Sequence, residues 1–157
     1  MNQYWGDFPV NATVRIPFDT FNSAGSSITM TGFAAADIEI YKNGGTTQRT
    51  SDNGYTATTD FDSLTGLHMI VIDTSDNSDA GFYAAGNEYQ VAISTVTVDS
   101  QTISFWAGTF SIERSGGALA LIKALAPAGV LSNNAIAAAS IAADAITAAK
   151  IADGAID

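Results

Sequence analysis

The sequence of 157 residues contains no cysteine and a single histidine, His68. Without cysteine the chain can form no disulfide bond and has no thiolate nucleophile. A zinc site is not expected either, because such sites need several His or Cys ligands. His68 lies in a segment with the periodicity of a strand, where a histidine is more often a structural side chain than a ligand. We therefore predict neither a metal centre nor a cofactor.

Basic residues are also scarce. Six Lys and Arg residues stand against sixteen Asp and Glu residues, so the formal net charge is -10, although charged residues make up only 14% of the chain. An acidic surface repels the phosphate backbone of nucleic acids, so nucleic acid is not an expected partner. The hydrophobic share of 46% is enough for a sizeable core in one domain with an appendage.

The sequence has no apolar run of the about 20 residues that a membrane-spanning helix needs. Its longest apolar run, 118–131, is interrupted by Lys123, Pro127 and Gly129. The first seven residues lack the basic and apolar regions of a secretory signal peptide. We expect a soluble protein that is made in a cytoplasm and has no membrane partner.

Catalytic motifs are missing as well. The sequence contains no nucleophile elbow, phosphate-binding loop or dinucleotide fingerprint, and its scattered carboxylates form no evident catalytic pair. We therefore predict no catalytic residues and no enzymatic activity.

One group of oxygen ligands has the alternate spacing that begins a calcium-binding loop. Its members are Asp73, Ser75, Asn77 and Asp79. The sixth position of such a loop would be Gly and the twelfth Glu, whereas Ser78 and Ala84 stand there. A solvated turn between strands is the preferred interpretation, and a calcium site is the alternative.

What the sequence does contain is a series of short segments in which apolar and polar residues alternate, separated by turn residues. Strands are predicted at 13–19, 28–31, 37–42, 46–51, 55–61, 67–73, within 81–98, and at 102–112. Pro17 cannot donate to a strand ladder, so 13–19 should be an edge strand. The run 67–73 is apolar on both faces, which indicates a buried central strand. Seven or eight such strands predict an all-β protein with an antiparallel β-sandwich at 13–114.

The segment 81–98 contains the longest predicted strand. From Tyr89 to Thr95 every second residue should point into the core. The run Gly86-Asn87-Glu88-Tyr89-Gln90-Val91 resembles the start of the penultimate strand of fibronectin type III and other immunoglobulin-like sandwiches. The resemblance implies that Tyr89 is the structural tyrosine corner, whose hydroxyl bonds to backbone a few residues upstream. The preceding Asp79-Ala80-Gly81-Phe82-Tyr83 resembles the Asp-x-Gly-x-Tyr run of variable domains, so Tyr83 is the alternative, although Ala85 replaces the usual Cys. An ordinary core tyrosine is the remaining possibility.

Residues 1–12 form a separate N-terminal segment that is rich in aromatic residues. Tyr4, Trp5 and Phe8 neither alternate nor follow a helical period. We predict a docking arm that uses these three side chains to bind a partner. The alternative is that the arm packs against its own domain.

The C-terminal part changes in composition. Residues 115–133 should be a linker with a short helix at 118–126, which ends before Pro127. From 134 to 157 the chain is a repeat of Ala and Ile in which an isoleucine recurs every five residues, at Ile136, Ile141, Ile146, Ile151 and Ile156.

A period of five places successive isoleucines about 140° apart around a helix, or on opposite faces of a strand. One chain therefore has no regular face on which to bury them, and the repeat should coil on itself or wrap with other chains. We predict the start of an oligomeric stalk that continues beyond Asp157, with an Ala-rich helix as the alternative.

Three runs of the sandwich, Phe18-Asp19-Thr20-Phe21, 37–44 and 81–86, resemble an immunoglobulin-like domain that recurs in structural proteins of tailed bacteriophages. There it is often followed by an Ala/Ile repeat similar to 141–156. The resemblance implies a non-enzymatic virion protein, the anchoring or adaptor part of a tail fibre, baseplate or head appendage. It also implies synthesis in the host cytoplasm, other virion proteins as partners, and a homo-oligomer, with a trimer expected by analogy. A carbohydrate-binding or adhesin module that uses exposed aromatics such as Trp106 is the alternative.

Overall fold

The computed structural model describes residues 3–125. They form seven strands and one helix: β1 Tyr4–Phe8, β2 Thr13–Asp19, β3 Ile38–Lys42, β4 Tyr55–Thr58, β5 Leu67–Asp73, β6 Asn87–Val98, β7 Gln101–Ile112 and α1 Ala118–Leu125. Single turns of 3-10 helix occur at Ala35–Asp37 and Phe61–Ser63. The strands belong to a compact unit that ends at Ala120.

The strands form two sheets with the order of an immunoglobulin-like sandwich. One sheet has the order β1-β7-β6-β3 and the other β2-β5-β4. The second sheet and the β7-β6-β3 part of the first reproduce the two sheets common to this fold. All neighbours are antiparallel except β1 and β7, which run parallel. The predicted sandwich is confirmed, and β2 is an edge strand, as Pro17 indicated.

The core lies between the inner faces of the two sheets. Its fully or almost fully buried side chains are Val14, Ile16, Met30, Ile38, Ile40, Ile70, Ile72, Tyr89, Val91, Ile93, Val96, Phe110 and Ile112. Most are β-branched or aromatic residues, which fit a pleated surface that is buried on one side. Removing one aliphatic side chain of this size from water stabilises the fold by about 1.5–3 kcal/mol.

The prediction that both faces of β5 are buried is wrong. His68, Ile70 and Ile72 are buried, whereas Met69 and Val71 are only partly covered and Leu67 is exposed. β5 is the central strand of a three-stranded sheet. In the described residues no further layer covers the outer face of that sheet. The apolar side chains on the outer face of β5 therefore stay partly or fully exposed.

The expected inward position of Thr95 is also wrong. Thr95 adopts a positive φ of 55° and is exposed, and the register between β6 and β7 shifts between Ile93 and Val96. Its backbone N–H donates to Ser104 Oγ at 3.0 Å instead of a ladder partner. Such a bulge inserts an extra residue and so reverses the alternation beyond it. Val96 and Val98 therefore occupy the buried positions.

Two predicted strands, 28–31 and 46–51, are irregular segments with isolated bridges. The first crosses between sheets, since Ile28 N donates to Thr20 O at 3.1 Å and Thr31 N donates to Thr97 O at 2.9 Å. In the second, Arg49 N donates to Ile40 O of β3 at 2.9 Å, whereas Thr50 N donates to the Asp79 carboxylate at 3.0 Å. The predicted strand 55–61 ends earlier, at Thr58.

Residues 1–12, in which no strand is predicted because their aromatic residues do not alternate, contain β1. β1 pairs in parallel with β7, with Asp7 opposite Ser111 and Phe8 opposite Ile112. Its ladder is short and has a register shift between Tyr4 and Asp7, where Gly6 adopts a φ of 129°. A five-residue strand with an irregularity shows no clear alternation in sequence.

The helix predicted at 118–126 is present as α1. The predicted stalk residues, Ile136, Ile141, Ile146, Ile151 and Ile156, lie outside the described residues, so the stalk stays a prediction.

Candidate functional site

A groove of about 680 Å³ lies on the outer face of the sheet formed by β3, β6 and β7. Its centre is a row of three residues across the strands, because Glu39 is opposite Ala92 in one ladder and Ala92 is opposite Trp106 in the other. The small side chain of Ala92 leaves a depression between its two larger neighbours. The loop 44–46 closes one side of it.

The aromatic wall of the groove is formed by Trp106 and Tyr41. Trp106 is 54% exposed, which is a large fraction for a tryptophan in the middle of a sheet face. Its ring lies 5.8 Å from that of Tyr41 at an interplanar angle of 67°, an edge-to-face arrangement. The Tyr41 contact therefore restricts the indole while leaving much of it open to solvent.

The polar wall is held in place by hydrogen bonds among its own side chains. The Tyr41 hydroxyl donates to Glu39 Oε2, and Ser94 Oγ donates to Glu39 Oε1 at 2.8 Å. The hydrogen bond to Glu39 raises the pKa of Tyr41. On the loop side, Gly44 N donates to Gln90 Oε1 at 2.9 Å. Both oxygens of Glu39 thus have fixed orientations before any ligand arrives.

Trp106 is the one residue of this groove that the sequence singled out, as an exposed aromatic. The groove itself could not be read from the sequence, because it depends on which residues of three strands stand side by side. The register between β6 and β7 shifts between Val91 and Ala92, beside Gly108. The glycine is the one feature of the sequence that indicates this shift.

The three aromatic residues of the predicted docking arm contact their own sandwich. Trp5 Nε1 donates to Ala107 O at 3.2 Å, and Phe8 meets Phe110 edge-to-face at 6.2 Å. The Tyr4 hydroxyl lies 2.6 Å from Ser111 Oγ, although Tyr4 is 46% exposed. These contacts agree with the alternative that the arm packs against its own domain. A role in partner binding stays a prediction, and Tyr4 has the most surface left for it.

Tyr89 stands at the start of β6 with a fully buried side chain. Its hydroxyl accepts a hydrogen bond from Ala84 N at 2.8 Å and lies 3.0 Å from Phe82 O, to which it donates. These bonds to backbone five and seven residues upstream have the geometry of a tyrosine corner. Burial raises the pKa of Tyr89. The competing residue, Tyr83, instead donates to the Tyr55 hydroxyl at 3.2 Å.

Sequence reasoning missed Arg49, which is only 3% exposed. Its Nη1 donates to Ser51 O at 2.6 Å and to Asn53 O at 2.8 Å, and its Nη2 pairs with Asp76. The guanidinium also lies 5.2 Å from each of the ring centroids of two tyrosines, Tyr55 and Tyr83. Arg49 thus ties the irregular segment after β3 to the loop after β5. A lone arginine in a polar stretch gives no sign of such burial.

The carboxylates of the suspected calcium loop accept hydrogen bonds from their own chain. Asp73 Oδ1 accepts from Ser75 N at 2.9 Å and from its hydroxyl at 2.6 Å, and Asp79 Oδ2 accepts from Thr50 N at 3.0 Å. These bonds lower the pKa of Asp73 and of Asp79. Within residues 3–125 no group of His, Cys, Asp and Glu side chains has a metal-binding arrangement. The calcium alternative gains no support.

His68 is buried and forms a chain of hydrogen bonds. Asp60 N donates to His68 Nδ1 at 3.2 Å, so Nδ1 is unprotonated and Nε2 carries the proton. Nε2 then donates to Thr20 Oγ1 at 2.7 Å, and that hydroxyl donates to Ile28 O at 2.5 Å. Burial lowers the pKa of His68. The histidine holds together β2, β5 and the loop between β4 and β5, as a structural side chain.

No protein-family model matches this chain, and no similar curated protein was found. A comparison with solved structures finds similarity to the NK cell receptor NKp44, described as a triggering partner in natural cytotoxicity. The identity is 14%, the TM-score is 0.33, and the match covers 71% of this chain and 98% of the receptor chain. The described part of the chain has no helix of the length and apolarity needed to cross a bilayer.

Proposed function

We propose that this chain is a non-enzymatic structural protein of a bacteriophage virion, the anchoring or adaptor part of a tail fibre, baseplate or other appendage. The observation that carries the proposal is the succession, in one chain, of an immunoglobulin-like sandwich and a five-residue isoleucine repeat. That succession resembles structural proteins of tailed bacteriophages, and other virion proteins are the expected partners.

The absence of an enzymatic role is part of the proposal. Two buried polar side chains of the described residues, His68 and Arg49, are engaged in structural hydrogen bonds. The interior between the sheets is filled by aliphatic and aromatic side chains. Within residues 3–125 the outer-face groove is a distinctive surface, and its lining suits binding rather than catalysis.

The direct test is to find the chain on particles. Virions purified from the host that produces this protein should contain the full-length chain by mass spectrometry. An antibody raised against residues 3–114 should label one appendage in electron micrographs. Recovery of the chain only from the soluble lysate, with unlabelled particles, would refute the virion assignment.

A second candidate function, a carbohydrate-binding or adhesin module, is favoured by one specific observation. Trp106 and Tyr41 form an exposed aromatic wall beside the fixed carboxylate of Glu39. The two candidates do not exclude each other, since the groove lies within the sandwich and the proposed stalk lies beyond it.

A further inference from the structure

We propose that the outer-face groove binds a neutral carbohydrate, with the Trp106 indole stacked against a sugar ring and Glu39 and Gln90 bonded to sugar hydroxyls. The proposal deepens the second candidate function and is independent of the virion assignment. It assigns a ligand class and a set of contacts to a groove built from the row Glu39, Ala92 and Trp106.

The aromatic wall matches the apolar part of a sugar. The axial C–H groups of a pyranose form an apolar face of about the area of an aromatic ring, and the negative face of an indole attracts such polarised hydrogens. Trp106 is more than half exposed and is restrained by Tyr41. A restrained aromatic ring loses little conformational entropy when a ligand stacks on it.

The polar wall matches the hydroxyls. Ser94, Ser104, Gln90 and Thr46 line the groove with groups that both donate and accept, as a sugar hydroxyl does. Gln90 Oε1 is held by Gly44 N at 2.9 Å and its Nε2 by Glu88 Oε1 at 3.2 Å. A few fixed polar groups in a largely apolar depression are typical of small-ligand sites.

Charge selects a neutral sugar over an acidic one. Glu39 is the charged residue of the lining, and none of the groove residues in the described part of the chain is basic. An acidic sugar or a phosphate would meet this carboxylate and a net charge of -10 without a cation to pair with.

The negative charge of Glu39 does not make the groove a site for basic peptides. Both Glu39 oxygens already accept one hydrogen bond each, from the Tyr41 and Ser94 hydroxyls, so the carboxylate needs no ion pair but keeps a further lone pair on each oxygen for a sugar hydroxyl. A second copy of the sandwich is a poor occupant for another reason. It would displace water from the serine, threonine and glutamine side chains of the lining and leave their polar groups without hydrogen-bond partners. A sugar has several hydroxyls that can bond to these groups.

The test is binding of the full chain to immobilised neutral oligosaccharides of glucose, mannose, galactose and xylose, with hyaluronan and a proline-rich basic peptide as the competing probes. We expect binding to at least one neutral oligosaccharide and to neither competing probe. Trp106→Ala should weaken that binding about tenfold or more, and Ala92→Leu should weaken it similarly by filling the depression.

The matched control is Phe21→Ala, which removes an aromatic side chain that is also 54% exposed but lies outside the groove. It should leave binding unchanged. No binding to any neutral oligosaccharide at millimolar concentration would overturn the proposal. So would binding that survives both groove variants, or binding of the peptide alone. Sedimentation of the same variants should be unchanged, so a failure here is distinguishable from a failure of the stalk.

Discussion

The Tyr89 hydroxyl fixes the loop before β6 through its hydrogen bonds to the backbone of that loop, so its removal should destabilise the fold. In Tyr89→Phe the Ala84 N–H and the Phe82 carbonyl both lose the buried hydroxyl to which they are bonded. The free energy of unfolding should fall by about 1–2 kcal/mol in urea denaturation. Tyr83→Phe, which removes a hydroxyl bonded to another tyrosine, is the comparison. A loss of no more than a few tenths for Tyr89→Phe would contradict the corner.

Arg49 is a second residue on which the loops depend. Lysine keeps the positive charge. Its compact ammonium group, however, cannot bond at once to the two carbonyl oxygens and the carboxylate that the planar guanidinium reaches. Arg49→Lys should lower the free energy of unfolding by about 1.5–3 kcal/mol, the value of a hydrogen bond to a charged group. Arg15→Lys on the exposed face of β2 is the control and should be nearly neutral. Equal stabilities of the two variants would show that Arg49 contributes no more than a surface arginine.

His68 makes the stability of the sandwich depend on pH. Its pKa is lowered by burial, so the folded protein binds fewer protons than the unfolded chain, whose histidine pKa is about 6.5. The free energy of unfolding should therefore fall as the pH decreases through 6.5 and should be unaffected by His68 well above it. Since the chain has one histidine, a single imidazole signal in an NMR titration measures this directly. A midpoint at or above 6.5 would contradict the hydrogen-bonding scheme.

At the scale of elements, β1 depends on a close contact with β7. A Cβ added at Gly108 would lie 2.2 Å from Trp5 Nε1, and Gly108 has a φ of 152°. Gly108→Ala should therefore displace β1 and lower the melting temperature, as should deletion of residues 1–10. Trp5→Ala combined with Gly108→Ala should be less destabilised than the sum of the single variants, because the added Cβ then no longer meets the indole and only its contact with Gln3 O, at 2.7 Å, is left. Thermal melts by circular dichroism decide. An unchanged melting temperature after the deletion would mean that β1 is a dispensable arm.

Elements with one buried face were predictable, and elements defined by distant partners were not. β2 alternates in sequence because one face meets the core, and β5 is an apolar run of strand length, so their bounds, Thr13–Asp19 and Leu67–Asp73, follow from local sequence. The segments 28–31 and 46–51 have strand-like composition, yet the backbone bonds of the first go to two sheets, and those of the second go to one residue of β3 and to a side chain. The bulge at Thr95 and the groove at Ala92 likewise depend on register between strands, which no single segment encodes.

At the scale of the whole molecule, the sandwich is followed in sequence by the five-residue isoleucine repeat, which we predict to be the start of an oligomeric stalk. Each isoleucine left in water forgoes about 1.5–3 kcal/mol, so association of several chains would stabilise the repeat. In such an oligomer the small alanines between the isoleucines would allow the backbones to approach closely. The copy number rests on analogy with tail fibres.

The measurement that tests this claim most directly is sedimentation equilibrium of the full chain and of Ile146→Asp, a change in the middle of the repeat. We expect the unmodified chain to sediment as an oligomer, with the mass of a trimer. Ile146→Asp should be monomeric and keep the circular dichroism of the sandwich. Ser140→Asp, which adds the same charge at a position expected to face outward, should leave the oligomer intact. A monomeric unmodified chain at high concentration would contradict the account.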